Sequence, residues 1–284
     1  MKAALIVNGR AGALSAVAAP RAALEAALRE AGFDLVASAE EGASLDVQWA
    51  ATDASAAEIV FVAGGDGTLR DAAERLLKTG RIFAPLPGGT MNRVCRRLGL
   101  PPDPIMAARG YRAGAVVALD VATANGEVFL YQSIIGVPTR LMRFREMQRG
   151  AGMRGWWPLL RALTRELFRP SSRAIALHVA PGRRARGHAA VVTMPEPGGT
   201  ASLTLHLVRP PHGVARFRQV LRWFRGRLGE DPDIASREGA RLVLHGRATW
   251  LRLSLDGETR LSPSPLRFRL HRGALRLLAP PAAG

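Results

Sequence analysis

The sequence predicts a two-part chain: an α/β, doubly wound first domain, then an antiparallel β-sandwich-like domain with inserted helices. Three observations predict it. Apolar strand-like runs alternate with helical patterns from Ala3 to about Gly114, the pattern of a mostly parallel sheet. Past Gly114 the texture changes to short apolar runs between turn residues, starting with a hairpin signal at Ala124-Asn125-Gly126. A chain of 284 residues, 48% of them apolar, is also long for a single core. The expected division is 1–114 and 115–284, with the last residues returning to the first domain.

The elements follow in order. Ala3 to Val7 is a buried strand, and Asn8-Gly9-Arg10-Ala11-Gly12 a polar glycine loop after it. Pro20 opens a helix with Leu24, Ala27, Leu28 and Ala31 on one face, closed by Gly32. Phe33 to Ala37 is a strand, followed by Ser38 and the acidic turn Glu40-Glu41-Gly42; a weaker helix covers Ser44 to Thr52. Ile59 to Ala63 is a strand that runs into Gly64-Gly65-Asp66-Gly67-Thr68, and a helix with Leu69, Ala72, Ala73, Leu76 and Leu77 on one face comes next. Ile82 to Ala84 leads to Pro87-Gly88-Gly89-Thr90-Met91-Asn92, a short helix from Met91 to Leu98, and another from Pro104 to Gly114. In the second half, Val116 to Thr123 and Glu127 to Ile135 form a hairpin. Helices are expected near 141–148 and 156–168, and a basic helix over 214–228. Strands are expected near 174–179, 189–194, 202–208, 241–244, 249–255, 266–270 and 274–278.

Strand, glycine turn, helix is the arrangement that presents helix N–H groups to an anion. Glycines let a phosphate approach the backbone, and Thr68 is placed to cap the helix or bind a phosphate oxygen. The same residues also make an ordinary βα turn in which Asp66 satisfies local N–H groups. In a doubly wound sheet the loops from Asn8, Gly64 and Gly88 all lie beyond the carboxyl ends of strands, where ligands bind.

The net charge is +17, almost all of it arginine, since Lys2 and Lys78 are the only lysines. Such a field favours nucleotides, nucleic acid or an acidic membrane surface. The arginines are dispersed and carry no stacking motif, so nucleic acid is not expected. Cys95 is the only cysteine, which fits a reducing compartment and a packing role. The run Ala3 to Val7 is too short for a signal-peptide core, and no stretch reaches the roughly 20 apolar residues of a membrane span. A cytoplasmic protein is expected, peripheral at the inner face of the membrane. The 214–228 helix has an apolar stripe of Phe217, Leu221, Phe224 and Leu228 among arginines, so it suits either a bilayer surface or the sandwich. Trp156-Trp157 reads as buried core, and the six histidines form no metal-ligand pair at helical spacing.

Gly64-Gly65-Asp66-Gly67-Thr68, then Pro87-Gly88-Gly89-Thr90-Met91-Asn92, then Asp256-Gly257-Glu258 resemble, in order and spacing, the diacylglycerol kinase catalytic-domain family. That family includes bacterial lipid kinases and sphingosine kinases and is distantly similar to NAD kinases. The resemblance implies a nucleotide-binding α/β domain joined to a β-sandwich, with the active site in the cleft. It implies transfer of the ATP γ-phosphate to a hydroxyl of diacylglycerol or a related lipid, with Mg²⁺ as cofactor. Its implied nucleotide-site residues are Asn8, Ser38, Gly64, Gly65, Asp66, Gly67, Thr68, Thr90 and Asn92. Asp66 would also sit by the metal, Asp256 would be the base on the acceptor hydroxyl, and Glu258 would stand beside it. The implied partners are ATP and a lipid substrate at an anionic membrane surface.

The chain departs from the family pattern at Asn92-Arg93-Val94, where a base replaces an acid, and at Arg70-Asp71, where Asn-Glu is usual. Met194 to Thr200 is a shortened segment at the place where the family carries a structural Mg²⁺ site. That shortening keeps two alternatives open: a weak or inactive nucleotide- and anionic-lipid-binding homologue, and a kinase of a soluble hydroxylated substrate.

Overall fold

The computed structural model describes residues 1–16, 19–37, 39–111, 115–136, 178–179, 183–184, 187, 189–199, 201–208, 234–246 and 248–279. Ser38, the helices expected over 141–168 and 214–228, Trp156-Trp157 and the boundary at Gly114 lie outside the described residues. The chain divides into two compact units: Met1–Val121 with Glu196–Gly199 and His271–Gly284, and Ala122–Pro195 with Thr200–Leu270.

In the first unit, β1 (Lys2–Val7), α1 (Pro20–Glu30), β2 (Asp34–Ala37), α2 (Leu45–Asp53), β3 (Ile59–Gly64), α3 (Asp66–Thr79) and β4 (Ile82–Pro87) alternate. The short helices α4 (Arg93–Arg97) and α5 (Pro104–Gly110) follow. The strands lie in the order β2-β1-β3-β4, all parallel. From β1 the chain runs outward to β2 and then returns to β3 on the other side. The topological switch point therefore falls between β1 and β3, where doubly wound sheets bind ligands. β3 and β4 are buried along their whole length, as a sheet covered on both faces requires. Behind β3, Phe61 meets Phe33 and Tyr111 edge-on at 4.8 and 5.5 Å, and the Tyr111 hydroxyl donates to the Pro85 carbonyl at 2.9 Å.

Local chemistry sets the helix ends. Ser44 caps α2 by accepting from Val47 N–H at 3.3 Å, and Asp103 caps α5 by accepting from Met106 N–H at 2.7 Å. α1 has Pro20 in its first turn but no cap of its own. Glu41 takes that role from a distance, accepting from Arg21 and Ala22 N–H at 3.3 and 3.2 Å. α5 stops at Gly110, short of the expected Gly114, because Tyr111 turns to an extended backbone as its ring enters the core.

The second unit is a sandwich. One layer is antiparallel and six-stranded. It comprises β7 (Gln132–Gly136), β10 (Ala189–Thr193), β11 (Leu203–Val208), β12 (Ile234–Gly239), β14 (Trp250–Leu255) and β15 (Glu258–Pro263), in the order β12-β11-β10-β7-β14-β15. The other layer holds β5 (Val116–Ala124), β6 (Glu127–Phe129), β8 (His178–Val179), β9 (Arg183–Arg184), β13 (Arg241–His245) and the start of β16 (Leu266–Leu278). Leu251, Leu253 and Leu255 of one layer share a core with Leu242, Leu244, Leu266, Phe268 and Leu270 of the other. This period-two burial is what a sandwich demands. β12 is not expected from the sequence, since Ile234-Ala235-Ser236-Arg237-Glu238-Gly239 lacks an apolar alternation.

Two expected elements are corrected. Glu127 to Ile135 is not one strand: it breaks at Leu130-Tyr131, where the chain leaves β6 in one layer for β7 in the other. Conversely, 266–270 and 274–278 are one strand, β16, which continues through Gly273 at φ +56°. Its end pairs in parallel with β4 through Leu277 and Phe83. Among the described residues, no helix is long and apolar enough to cross a membrane.

Candidate active site

Three loops beyond the carboxyl ends of β1, β3 and β4 meet backbone to backbone. Asn8 N–H donates to the Ala63 carbonyl and Gly88 N–H to the Gly64 carbonyl, both at 2.9 Å. Ala13 N–H donates back to the Gly88 carbonyl at 2.9 Å. The packing is so close that side chains are excluded. A Cβ on Gly88 would lie 2.6 Å from Leu14 Cδ1 and 2.8 Å from Gly64 N, and one on Gly89 would lie 2.6 Å from Gly65 Cα. A Cβ on Gly64 would lie 2.7 Å from Thr68 Cβ, and one on Gly12 would lie 2.5 Å from Thr90 Oγ1. The glycines at 64, 88 and 89 are thus required by the fold itself. Gly65 differs, since its Cβ would make only an ordinary contact, 3.6 Å from Gly89 Cα.

α3 opens on this meeting point with Gly65 as its N-cap and no side chain capping it. Thr68 does not cap the helix, contrary to expectation, because α3 starts three residues earlier than the apolar pattern indicates. Thr68 lies inside the first turn, and its Oγ1 accepts from Asn8 Nδ2 at 2.9 Å. Asn8 Oδ1 in turn accepts from Arg10 N–H at 3.2 Å. The uncapped first turn of a 14-residue helix, with its positive dipole end, is suited to an anion.

Asn92 and Asp66 brace the third loop. Asn92 is buried in a left-handed conformation, and its Oδ1 accepts from Gly89 N–H at 2.7 Å. Asp66 Oδ1 accepts from Val94 N–H at 3.0 Å, which ties the start of α4 to the start of α3. Burial raises the Asp66 carboxyl above its ordinary range; the Val94 and Arg93 N–H groups and the charges of Arg93 and Arg96 oppose that rise. Cys95 is buried and its thiol is pushed up by desolvation, in keeping with a packing residue. Among the described residues no three His, Cys, Asp or Glu side chains gather as a metal cluster.

Sequence reasoning missed a second polar assembly at the end of β1. Gln48 of α2 pairs with both backbone groups of Val7, accepting its N–H at 2.6 Å and donating to its carbonyl at 2.9 Å. The buried Arg21 guanidinium joins it, donating to Gln48 Oε1 at 2.6 Å, to the Leu5 carbonyl at 2.9 Å and to Glu25 at 3.1 Å. The one sequence signal was a polar residue on the helix face that also carries Trp49 and Thr52.

In the second unit, Asp256 and Gly257 form a two-residue hairpin turn at φ +48° and +105° between β14 and β15. The Asp256 side chain is buried. Its Oδ2 accepts from Leu130 N–H at 2.7 Å, and its Oδ1 from Tyr131 and Gln132 N–H at 2.9 Å each. These are the N–H groups freed where the chain crosses between the two layers. Glu258 is partly exposed, with Arg260 Nη2 at 3.2 Å. The structure therefore brings Asn8, Gly64, Gly65, Asp66, Gly67, Thr68, Thr90 and Asn92 together in the first unit, and places Asp256 and Glu258 in the second.

Residues 2–124 match the model of the diacylglycerol kinase catalytic domain. A protein of Pseudomonas savastanoi pv. phaseolicola named "Probable lipid kinase YegS-like" is 30% identical over 282 residues, covering 89% of this chain and 90% of that one. Its namesake in Pseudomonas aeruginosa (strain UCBPP-PA14) is 29% identical and covers 90% of this chain and 88% of its own. The crystal structure of a diacylglycerol kinase from Bacillus anthracis str. Sterne superposes with a TM-score of 0.64 at 19% identity, over all of this chain and 98% of that one. The glycine loops at the switch point, the two-unit architecture and this relatedness place the chain in the lipid kinase family built on the diacylglycerol kinase catalytic domain.

Proposed function

We propose that this protein transfers the γ-phosphate of ATP to a hydroxyl of diacylglycerol or a closely related lipid. The observation that carries the nucleotide half is the uncapped first turn of α3 at the junction of three glycine loops. In this reading the N–H groups from Gly65 to Thr68 hold the phosphates, and Asn8 and Thr90 line the same loops. Asn92 keeps Gly89 in place for a close approach. Ser38, the remaining nucleotide-site candidate, lies outside the described residues.

Asp66 does not fit a dedicated metal ligand, because its carboxylate is committed to the N–H groups of Val94 and Arg93. It fits a residue that sets α4, and with it Arg93 and Arg96, against the phosphate loops. Mg²⁺, the usual companion of ATP, would neutralise phosphate charge and would draw its ligands mainly from the phosphates themselves. The proton of the acceptor hydroxyl needs a carboxylate within reach. Three backbone N–H groups hold the buried Asp256 carboxylate, whereas Glu258 is partly exposed, so we assign the base to Glu258 and the shaping of its turn to Asp256.

Two substitutions test the proposal, assayed with γ-labelled ATP and a panel of diacylglycerol, other hydroxylated lipids and NAD. Gly65→Ala is sterically compatible with the fold, so a weakening of ATP binding by about tenfold or more would report lost phosphate approach. Unchanged ATP affinity in that variant sinks the phosphate site. Glu258→Gln is expected to lower turnover by about a hundredfold with ATP affinity kept. A normal rate removes the base from that position. Label appearing in NAD alone would move the reading to a soluble acceptor, and ATP binding with no transfer to any acceptor would leave a binding protein.

A further inference from the structure

β13 and β16 pair antiparallel with Arg241 directly opposite Arg269, and with Val243 opposite Arg267. Leu242, Leu244, Phe268 and Leu270 face the sandwich core, so the alternation places all three arginines on the outer face of this layer. All three are exposed. Among the described residues none of them makes an ion pair with a carboxylate. Like charges directly across a strand pair stand about 5 Å apart at Cβ and oppose the pairing. A carboxylate between them would relieve that repulsion, and among the described residues this face offers none to them. The charge is instead left for an outside anion.

We infer that the Arg241, Arg267 and Arg269 face is a docking surface for an anionic lipid bilayer. Outward side chains of neighbouring strands stand side by side on a sheet face, so three arginines there meet several headgroups at once and need no pocket. The guanidinium suits phosphate, since it offers a planar fork of donors. The net charge of +17 adds a long-range field of the same sign. The choice of a bilayer over other polyanions rests on the lipid kinase reading, because such an enzyme meets its substrate at a membrane.

The test is co-sedimentation of the full-length chain with vesicles of phosphatidylcholine alone or with phosphatidylglycerol. The wild type is expected to bind only the phosphatidylglycerol vesicles, and to release as salt rises. Arg241→Gln with Arg269→Gln should weaken that binding on the order of twentyfold, about fivefold per arginine. Arg237→Gln with Arg252→Gln removes the same charge from exposed positions on the other layer and should change binding by less than about threefold. The thermal midpoint of the Arg241, Arg269 double variant should stay level or rise, since a repulsive pair is gone, which keeps misfolding from imitating the effect. Equal losses in the two double variants would reduce the surface to bulk charge and overturn the inference. So would wild-type binding to neutral vesicles, or binding to an RNA or DNA oligonucleotide in place of vesicles. Phosphorylation of a short-chain monomeric lipid separates this from the kinase reading: it should proceed normally in the variant, and its absence from the wild type would count against the kinase while leaving the vesicle result to judge the surface.

Discussion

Asp66 shows how a buried carboxyl at the start of a helix works against the fold that carries it. Its folded pKa lies above the ordinary carboxylate value of 3.8, and desolvation is the main cause. An acid raised by folding lowers stability only when it is ionised. The penalty is absent well below 3.8, where the carboxyl is protonated in both states, and it grows as pH climbs through the raised folded value. Asp66→Asn keeps an oxygen for Val94 N–H and removes the charge. Relative to the wild type, the variant should therefore gain stability as pH rises from about 3 to about 7, on top of any fixed cost of its NH₂ at the Arg93 N–H. Parallel melting curves across that range would show that Asp66 is not penalised by burial. Residues such as Asn8, Gly64 and Gly88 were legible because an apolar strand running into glycines marks a turn of close backbone approach. The commitment of Asp66 to Val94 was not, since it joins two helix starts that no local pattern connects.

At the scale of elements, the informative case is the hairpin of β14 and β15. Its Asp-Gly turn carries the same two-residue signature as the Asn125-Gly126 turn, and in both turns the two residues have positive φ. What the turn holds was not legible, because Asp256 reaches back to Leu130, Tyr131 and Gln132, far away in sequence. An uninterrupted run from Glu127 to Ile135 reads as one strand, and only the long-range carboxylate makes a break at Leu130 tolerable. Asp256→Ala should thus cost about 3 kcal/mol, the scale for stranding two buried N–H groups and one part-buried one. Asp256→Asn is also not silent. With Oδ1 kept on Tyr131 and Gln132, it turns an NH₂ toward Leu130 N–H, so it should lose about 1–3 kcal/mol. Denaturant midpoints of both variants, read beside Glu258→Gln, would separate a structural aspartate from a catalytic one. Equal stability of wild type and Asp256→Ala would refute the clasp.

For the whole molecule, the alternation of strands and helices in the first unit and the antiparallel strands of the second were legible from periodicity and turn residues, whereas the strand order came only with the structure. The chain passes between the units inside two strands, β5 and β16, and at the loop Glu196–Gly199. Continuous strands leave no linker composition to read. β16 has a further consequence for how the protein is made. β4 pairs on one side with β3, which precedes it closely, and on the other with Leu277, which follows far later in the chain. During synthesis the sheet of the first unit thus emerges before the strand that completes it. Throughout that interval β4 presents an open apolar edge, the kind that templates association between nascent chains. That exposed edge during synthesis is the consequence of closing the first sheet with a strand from so far along the chain.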